Sequence, residues 1–286
     1  MASAELLRAL GSVPSSPPPY CQPVMAALGL PALTAAEHTG MFVLSAPPHA
    51  AIHLGTEGKL GGEGLDRVAG LWRVLGLAPP PDADHLGTLL MLYAELADAE
   101  AAVRTEIAAE RLRHARRTLL REHLWSWAPG YLTAVSRAGG PALAAWAALT
   151  LRALHAEARS ATAPLPGALR AAPAPVGSGD SRERLLDALV TPVSSGILLT
   201  REDLRDATAL AGLGYRAGER RYTLAAMLDQ DAGPTLGWLS NHAGTWAALH
   251  AGQPPVGGHD PRRWWARRAA RTARTLRALQ TRVVTF

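Results

Sequence analysis

Apolar residues recur at intervals of three and four along most of the chain, and this spacing predicts helices rather than strands. The clearest run follows Asp84, where the apolar positions 86, 89, 90, 93, 96 and 97 form a broad stripe on one face. Asp84 itself follows the proline-rich turn 79–81, which disfavours helix, so its carboxylate is predicted to cap the new helix. Similar runs predict helices over residues 33–44, 63–75, 100–125, 141–157, 220–228, 234–249 and 264–279. The chain is therefore predicted to be all-α.

Two tryptophans near the end of the predicted helix 100–125 cannot share one helical face. Trp125 and Trp127 are two residues apart, which places them about 200° apart around a helix axis. The pattern therefore predicts that one of the two rings is exposed, as a candidate contact for a bound peptide, unless both form an aromatic wedge between helices.

The composition divides the chain into two helical regions. Residues 162–181 are rich in proline, glycine and other small residues and show no apolar periodicity. We therefore predict a helical-bundle domain over residues 1–160, a flexible linker over 161–181 and a helical C-terminal extension over 182–286. At 286 residues, with 48% hydrophobic residues, the chain is long enough to bury a sizeable core.

Charge is distributed unevenly between the last helix and the rest of the chain. The formal net charge is +5, yet residues 262–282 contain eight arginines and no acidic residue. The remaining chain has 21 basic and 24 acidic side chains, a net charge of −3. The sequence thus predicts a mildly acidic body with a strongly basic C-terminal helix, and it leaves the role of that helix open.

Cysteine content and hydropathy indicate where the protein works. The single cysteine, Cys21, cannot form an internal disulfide or a thiolate metal site by itself. The proline-rich N-terminal region is too polar for a secretory signal, and the uncharged apolar run 138–151 is too short to span a bilayer. We therefore expect a soluble cytoplasmic protein.

Motifs for catalysis or metal binding are missing from the sequence. The segment Gly58-Lys59-Leu60 has a leucine where a phosphate-binding loop needs a hydroxyl, and no apolar strand precedes it. His49 and His53 have the spacing of one helical turn, but prolines precede them and no further ligand is clustered with them, so a loop without metal is expected. Acidic pairs fall at predicted helix starts, where carboxylates act as caps. We therefore expect neither an enzyme nor a metalloprotein.

Several motifs resemble those of one chaperone family. They are the run Pro81-Asp82-Ala83-Asp84-His85-Leu86 with Leu90 and Tyr93, the run His123-Leu124 with Trp127, the glycine-rich stretch 53–63, and the run 67–72. In order and spacing they are similar to the TorD/DmsD/NarJ-type chaperones, the redox-enzyme maturation proteins. The resemblance covers about residues 33–154 and extends more weakly to about residue 250.

The resemblance implies a function and a set of partners. It implies a cytoplasmic chaperone that binds the twin-arginine signal peptide and the apo catalytic subunit of a DMSO-reductase-type molybdenum oxidoreductase until the cofactor is inserted. The chaperone would hold no cofactor of its own, although weak contact with guanine nucleotide or molybdopterin guanine dinucleotide stays open, as does the choice between monomer and dimer. The peptide groove implied for this chain is formed by Asp84 and His85 at its rim, Leu86 and Tyr93 beneath them, and His123 and Trp127 opposite.

One alternative function is a helix-turn-helix regulator that binds nucleic acid. Residues 200–228 are predicted to form a helix, a glycine turn and a second helix. Arg216, Arg220 and Arg221 lie in or beside the second helix, where they could contact phosphates.

Overall fold

The computed structural model describes residues 3–158, 164–252 and 260–284, and within these ranges the chain forms helices and no β-strand. The predicted all-α class is confirmed. The chain divides into two compact units, which are described separately. Unit 1 contains Met1–Gly55, Lys59–Arg170 and Val256–Pro261, and unit 2 contains Thr56–Gly58, Ala171–Pro255 and Arg262–Phe286.

Unit 1 is built from ten α-helices and two π-helical turns within the described residues. They are α1 (Ala4–Ser15), α2 (Gln22–Ala27), α3 (Ala35–Thr39), π1 (Gly40–Ser45), α4 (Ala50–Leu54), α5 (Gly62–Val74), α6 (Leu86–Ala102), α7 (Glu106–Thr118), π2 (Leu119–Leu124), α8 (Ala128–Ala138), α9 (Pro141–Ala158) and α10 (Gly167–Arg170).

The core of unit 1 lies where α1 packs along α6. The two helices approach each other closely at Gly11 and Gly87, because a Cβ atom added at Gly11 would lie 2.8 Å from the Gly87 carbonyl oxygen. This close approach buries Leu7, Leu10 and Leu90 completely. The apolar stripe predicted from the sequence of α6 therefore faces the core of the unit.

Unit 2 contains six helices in the described part of the chain. They are α11 (Arg182–Val190), α12 (Pro192–Ser195), α13 (Arg201–Leu210), α14 (Arg220–Gln230), α15 (Ala232–Ala251) and α16 (Pro261–Val284). The start of α13 is a capping box: Asp203 N donates to the Thr200 hydroxyl at 3.0 Å, and the Asp203 carboxylate accepts from Thr200 N at 2.8 Å.

The predicted helix 100–125 is wrong, because the chain breaks it at residues 103–105. α6 continues to Ala102, and after a short connection Thr105 caps α7 by accepting a hydrogen bond from Ala108 N. α7 then packs back against α6, which lets Arg113 and Arg116 pair with Glu100. In an unbroken helix these arginines would lie too far from Glu100 to pair with it. The ion pairs therefore depend on the turn between α6 and α7, which the apolar periodicity did not predict.

The predicted exposure of either Trp125 or Trp127 is also wrong. Both rings are buried, with 4% and 2% of their surface exposed. They do not share a regular helix: π2 ends at Leu124, residues 125–127 form a turn, and α8 begins at Ala128. The turn changes the angle between the two side chains, so the argument from 100° per residue does not hold here.

Two further local predictions need correction. The segment 49–54, expected to be a loop, contains the short helix α4. In the predicted linker 161–181, residues 161–163 lie outside the described residues, and the remainder contains α10 with Leu169 buried in unit 1. Val176, farther along, is buried in unit 2. The described linker residues are thus partly anchored by apolar side chains.

Candidate functional site

Asp84 joins the start of α4 to the start of α6. Its carboxylate accepts hydrogen bonds from His49 Nδ1 at 3.0 Å and from Ala51 N at 2.8 Å. Backbone bonds complete the junction: Ala50 N donates to the Asp84 carbonyl at 3.0 Å, and Leu86 N donates to the Pro48 carbonyl at 2.7 Å. The carboxylate predicted to cap α6 therefore caps α4 instead, a helix that begins 34 residues earlier in the chain.

The cap of α6 is His85, one residue later than predicted. Its Nδ1 accepts from Gly87 N at 3.1 Å, which requires that this nitrogen carry no proton. The His85 and His49 rings meet edge to face, with centroids 5.0 Å apart. Burial, together with the charge that His49 can carry, lowers the pKa of His85 to about 4, so His85 is neutral at neutral pH.

The pKa of Asp84 shifts in the direction that keeps the carboxylate charged. Burial by itself would raise the pKa, but the hydrogen bonds from His49 and Ala51 and the nearby His49 imidazole lower it below its usual value. Asp84 is only 2% exposed. A charged carboxylate so deeply buried is held by partners within its own unit.

A second group of aromatic rings surrounds His53 on α4. The His53 ring stacks on Trp127 at a centroid distance of 4.8 Å and meets Tyr131 edge-on at 5.4 Å. Trp127 Nε1 donates to the His123 carbonyl at 2.7 Å, and the Tyr131 hydroxyl donates to the Ala46 carbonyl at 3.1 Å. The ring contacts join α4 to the start of α8, and the Tyr131 bond joins α8 to the residue that follows π1. Burial lowers the pKa of the His123 side chain to about 4.

Tyr93 belongs to a third, polar group. Its hydroxyl donates to Glu157 Oε2 at 2.8 Å, and Arg116 Nη1 reaches the same two oxygens at 3.2 and 3.4 Å. The other side of the Arg116 guanidinium pairs with Glu100 at 2.9 Å. Burial and the adjacent Glu157 raise the pKa of Tyr93 well above its usual value. The group connects α6, α7 and α9 of unit 1.

The six predicted groove residues therefore do not form an open rim. Asp84, Leu86, Tyr93, His123 and Trp127 are all at most 7% exposed, and only His85 is partly accessible. They fall into three buried groups that hold helices together, because each polar atom described above has found a partner inside unit 1. The exposed carboxylate of the matching motif is Asp82, two residues before Asp84. Sequence reasoning missed His49 as the partner of Asp84, and the only available signal was its position directly after two prolines.

The exposed face of α5 is acidic at its N-terminal end and apolar at its C-terminal end. Glu63 and Asp66 are exposed on its first turns, and Val74 is 85% exposed on its last. Between them lies Gly70, where an added Cβ would meet nothing within 4 Å. At 100° per residue, Glu63, Gly70 and Val74 lie within about 40° of one another around the helix. We call the line from Glu63 and Asp66 through Gly70 to Val74 the α5 stripe.

Two buried donors on α5 lack acceptors among the described residues. Arg67 Nη1 and Trp72 Nε1 are buried atoms with no hydrogen-bond partner there, although Arg67 pairs through its other nitrogen with Glu63 at 2.8 Å. Buried donors of this kind are energetically costly and uncommon. Among the described residues, α5 therefore carries two buried donors that have no hydrogen-bond partner.

The alternative site at residues 200–228 has little basic surface to offer. Arg220 donates to the Leu199 carbonyl at 3.0 Å, and burial lowers its pKa. Arg221 pairs with Asp187. The connection between α13 and α14 runs from residue 211 to 219, longer than the three- or four-residue turn of a helix-turn-helix. This geometry does not favour DNA binding.

Two other features are absent from the described residues. These residues contain no cluster of three or more His, Cys, Asp or Glu side chains arranged to hold a metal ion. None of the described helices is both long enough and apolar enough to cross a bilayer.

Comparison with known proteins relates part of unit 1 to one family. Residues 27–132 match the family model described as the nitrate reductase delta subunit, which confirms the resemblance predicted from the motifs over a little more than a third of the chain. That family consists of molybdoenzyme maturation chaperones, which work with molybdoenzyme subunits and are not catalysts. No curated protein and no solved structure matches the chain. The match lends no support to a nucleic-acid-binding function.

Proposed function

We propose that this protein is a cytoplasmic maturation chaperone for a DMSO-reductase-type molybdenum oxidoreductase. It binds the apo catalytic subunit together with its twin-arginine signal peptide and releases them after the molybdopterin guanine dinucleotide cofactor has been inserted into the client. The observation that carries the proposal is the family match over residues 27–132, the segment that contains the α5 stripe. The chaperone itself contributes binding and no reaction.

The α5 stripe suits a signal peptide of this kind. Such a peptide has two arginines followed by an apolar stretch, so its receptor needs carboxylates at one end and apolar surface at the other. Glu63 and Asp66 supply the carboxylates, which form charge-assisted hydrogen bonds with guanidinium groups. Val74, and the 42% exposed Leu77 just beyond the helix, supply the apolar end. Eleven residues separate Glu63 from Val74, about 17 Å along the helix.

The buried residues of the matching motifs support this surface indirectly. Asp84 and His85 join α4 to α6, and the stack of His53 on Trp127 joins α4 to α8. α4 in turn packs against α5, where a Cβ at Gly64 would come within 2.6 Å of the Ala51 Cα. In this proposal Asp84, His85, Leu86, Tyr93, His123 and Trp127 position the peptide site, and the α5 stripe contacts the peptide.

Removing the two carboxylates of the stripe tests its contact with the arginine pair. We expect the double variant Glu63→Gln, Asp66→Asn to bind a synthetic twin-arginine signal peptide about tenfold more weakly, since two exposed charge pairs contribute roughly 1.4 kcal/mol together. Isothermal titration calorimetry with the full chain measures the affinity.

The chain offers a matched control for this experiment. Glu95 and Asp98 on α6 have the same residue types, the same spacing and similar exposure, and Asp98 pairs with Arg8 much as Glu63 pairs with Arg67. Glu95→Gln with Asp98→Asn removes the same charge from the same unit and is expected to leave the affinity unchanged. Equal losses in both double variants would place the arginine contact outside the α5 stripe.

Filling the gap at Gly70 tests the same surface without removing charge. Leucine is a better helix former than glycine by about 0.8 kcal/mol, and its Cβ has open space at this position. We therefore expect Gly70→Leu to raise the melting temperature slightly while it weakens peptide binding by blocking the stripe. A stabilised variant that still binds the peptide with full affinity would exclude the stripe as the site.

A further inference from the structure

The outward face of α16 carries a continuous band of arginines. Six of them are exposed, and at 100° per residue they lie within about 140° of arc. The helix has 24 residues, so it is about 36 Å long, and the band extends over roughly 28 Å of it. The band, which we call the arginine face, consists of Arg263, Arg267, Arg271, Arg274, Arg277 and Arg282.

The opposite face of α16 is fixed inside unit 2. Trp265, Ala269 and Leu276 are at most 4% exposed. Buried hydrogen bonds hold the helix in register, because Thr272 donates to the Ser195 carbonyl at 2.7 Å and the Ser240 hydroxyl donates to the Ala273 carbonyl at 3.0 Å. The helix therefore presents its arginines from a rigid base, and its apolar side is not available for insertion into a lipid bilayer.

The charge of the arginine face is not balanced by unit 2. The sequence from residue 262 onward contains no acidic residue. Within the described parts of the chain, no ion pair includes a member of the arginine face. All eight basic residues of the helix are arginines, whose planar guanidinium groups form paired hydrogen bonds with phosphate. The face therefore fits a surface that carries many phosphates.

The elements that flank α16 indicate whether the phosphate-bearing surface is a DNA groove or a flat surface. A helix that enters the major groove must stand clear of its own domain, since the groove is about 12 Å wide and a helix with side chains fills 10–12 Å. α16 is instead flanked by neighbours: Arg268 and Thr275 donate to the carbonyls of Pro173 and Val176 on one side, and Gln280 contacts Gly237 of α15 on another. The exposed residues between the arginines include no aromatic ring on which bases could stack.

We propose that the arginine face of α16 docks on an anionic phospholipid surface, where its guanidinium groups bind headgroup phosphates and no part of the helix inserts. Each basic side chain close to such a surface contributes about 1 kcal/mol at low salt, so six together bind without apolar contact. Because the attraction is purely electrostatic, it is reversible and falls steeply when salt screens it.

Vesicle sedimentation with the full chain tests the proposal. The protein is expected to sediment with equimolar phosphatidylglycerol and phosphatidylcholine vesicles at about 0.05 M salt, to remain in solution with pure phosphatidylcholine, and to be released at about 1 M salt. The variant Arg267→Gln, Arg271→Gln, Arg274→Gln is expected to bind the anionic vesicles about a hundredfold more weakly, at about 1 kcal/mol for each arginine.

A control in unit 1 separates the arginine face from net charge. Arg104, Arg137 and Arg152 are also exposed, and their replacement by glutamine removes the same three charges. This control is expected to bind vesicles as the unchanged protein does. Equal weakening in both triple variants, or failure of the unchanged protein to bind anionic vesicles, would overturn the proposal. It would equally be overturned if a DNA duplex or polyglutamate bound to the arginine face and anionic vesicles did not.

Discussion

Arg116→Met is expected to destabilise the protein by about 3 kcal/mol or more, one of the two largest effects of a local change predicted for unit 1. Arg116 is the only cation that reaches both Glu157 and Glu100 among the described ion pairs, and the side chains of Arg116 and Glu157 are 12% and 3% exposed. Methionine fills a similar volume but leaves the Glu157 carboxylate buried without its guanidinium. Urea unfolding of the full chain, followed by circular dichroism, measures the loss of stability.

The neighbouring arginine provides the control for this prediction. The Arg117 side chain is 64% exposed and lies 4.0 Å from Glu110, so Arg117→Met is expected to change stability by less than about 0.5 kcal/mol. Adding Glu157→Gln to Arg116→Met removes the buried charge and is expected to recover part of the loss. If the two methionine variants were equally stable, the polar group around Tyr93 would not be what holds α6, α7 and α9 together.

Mild acid is expected to destabilise the protein through His85 and His123. The pKa of each is lowered from 6.5 to about 4 in the folded state, with burial as the main cause. The unfolded chain therefore binds more protons between these two values, so the free energy of unfolding decreases as the pH falls from 6.5 to about 4. Each histidine contributes a loss on the order of 3 kcal/mol over this range, at about 1.4 kcal/mol per pKa unit.

Asp84 acts in a different pH range, which keeps the two effects apart. Its folded pKa is lowered below 3.8, so its contribution is fully present above that value and is lost only in stronger acid. Urea unfolding at several pH values between 4 and 6.5 measures the dependence. Replacing His123 by glutamine is expected to flatten the dependence, with the exposed His114 replaced in the same way as the control. A dependence that His123→Gln leaves as steep as before would contradict this assignment.

Most helices were predictable because they depend on local pattern. The predicted helices 63–75, 141–157, 220–228 and 234–249 correspond to α5, α9, α14 and α15, with ends that differ by no more than two residues. The break within the segment 100–125 was not predictable in this way, because it accompanies the packing of α7 back against α6. There Arg113 and Arg116 bond to Glu100, which precedes them by 13 and 16 positions.

The matching motifs lie largely within the segment 27–132 that the family model matches, but they did not predict how their own side chains are paired. The family resemblance implied an open rim for Asp84, whereas its place between a proline turn and an apolar run predicted a cap of α6. Its partners, His49 and Ala51, lie more than thirty residues earlier, and no spacing rule within one helix connects them. The same holds for Tyr93 and Glu157, which are 64 residues apart.

The amino-acid sequence by itself determined the all-α class, the helices with strong periodicity, the basic character of α16 and the family resemblance of residues 27–132. These features depend on residue type and on spacings of three or four positions, which are local quantities. Only the tertiary structure decided that Asp84, Tyr93 and Trp127 face inward while one face of α5 remains exposed. Burial and pairing are set by helices distant in sequence, and periodicity carries no information about which of them will meet.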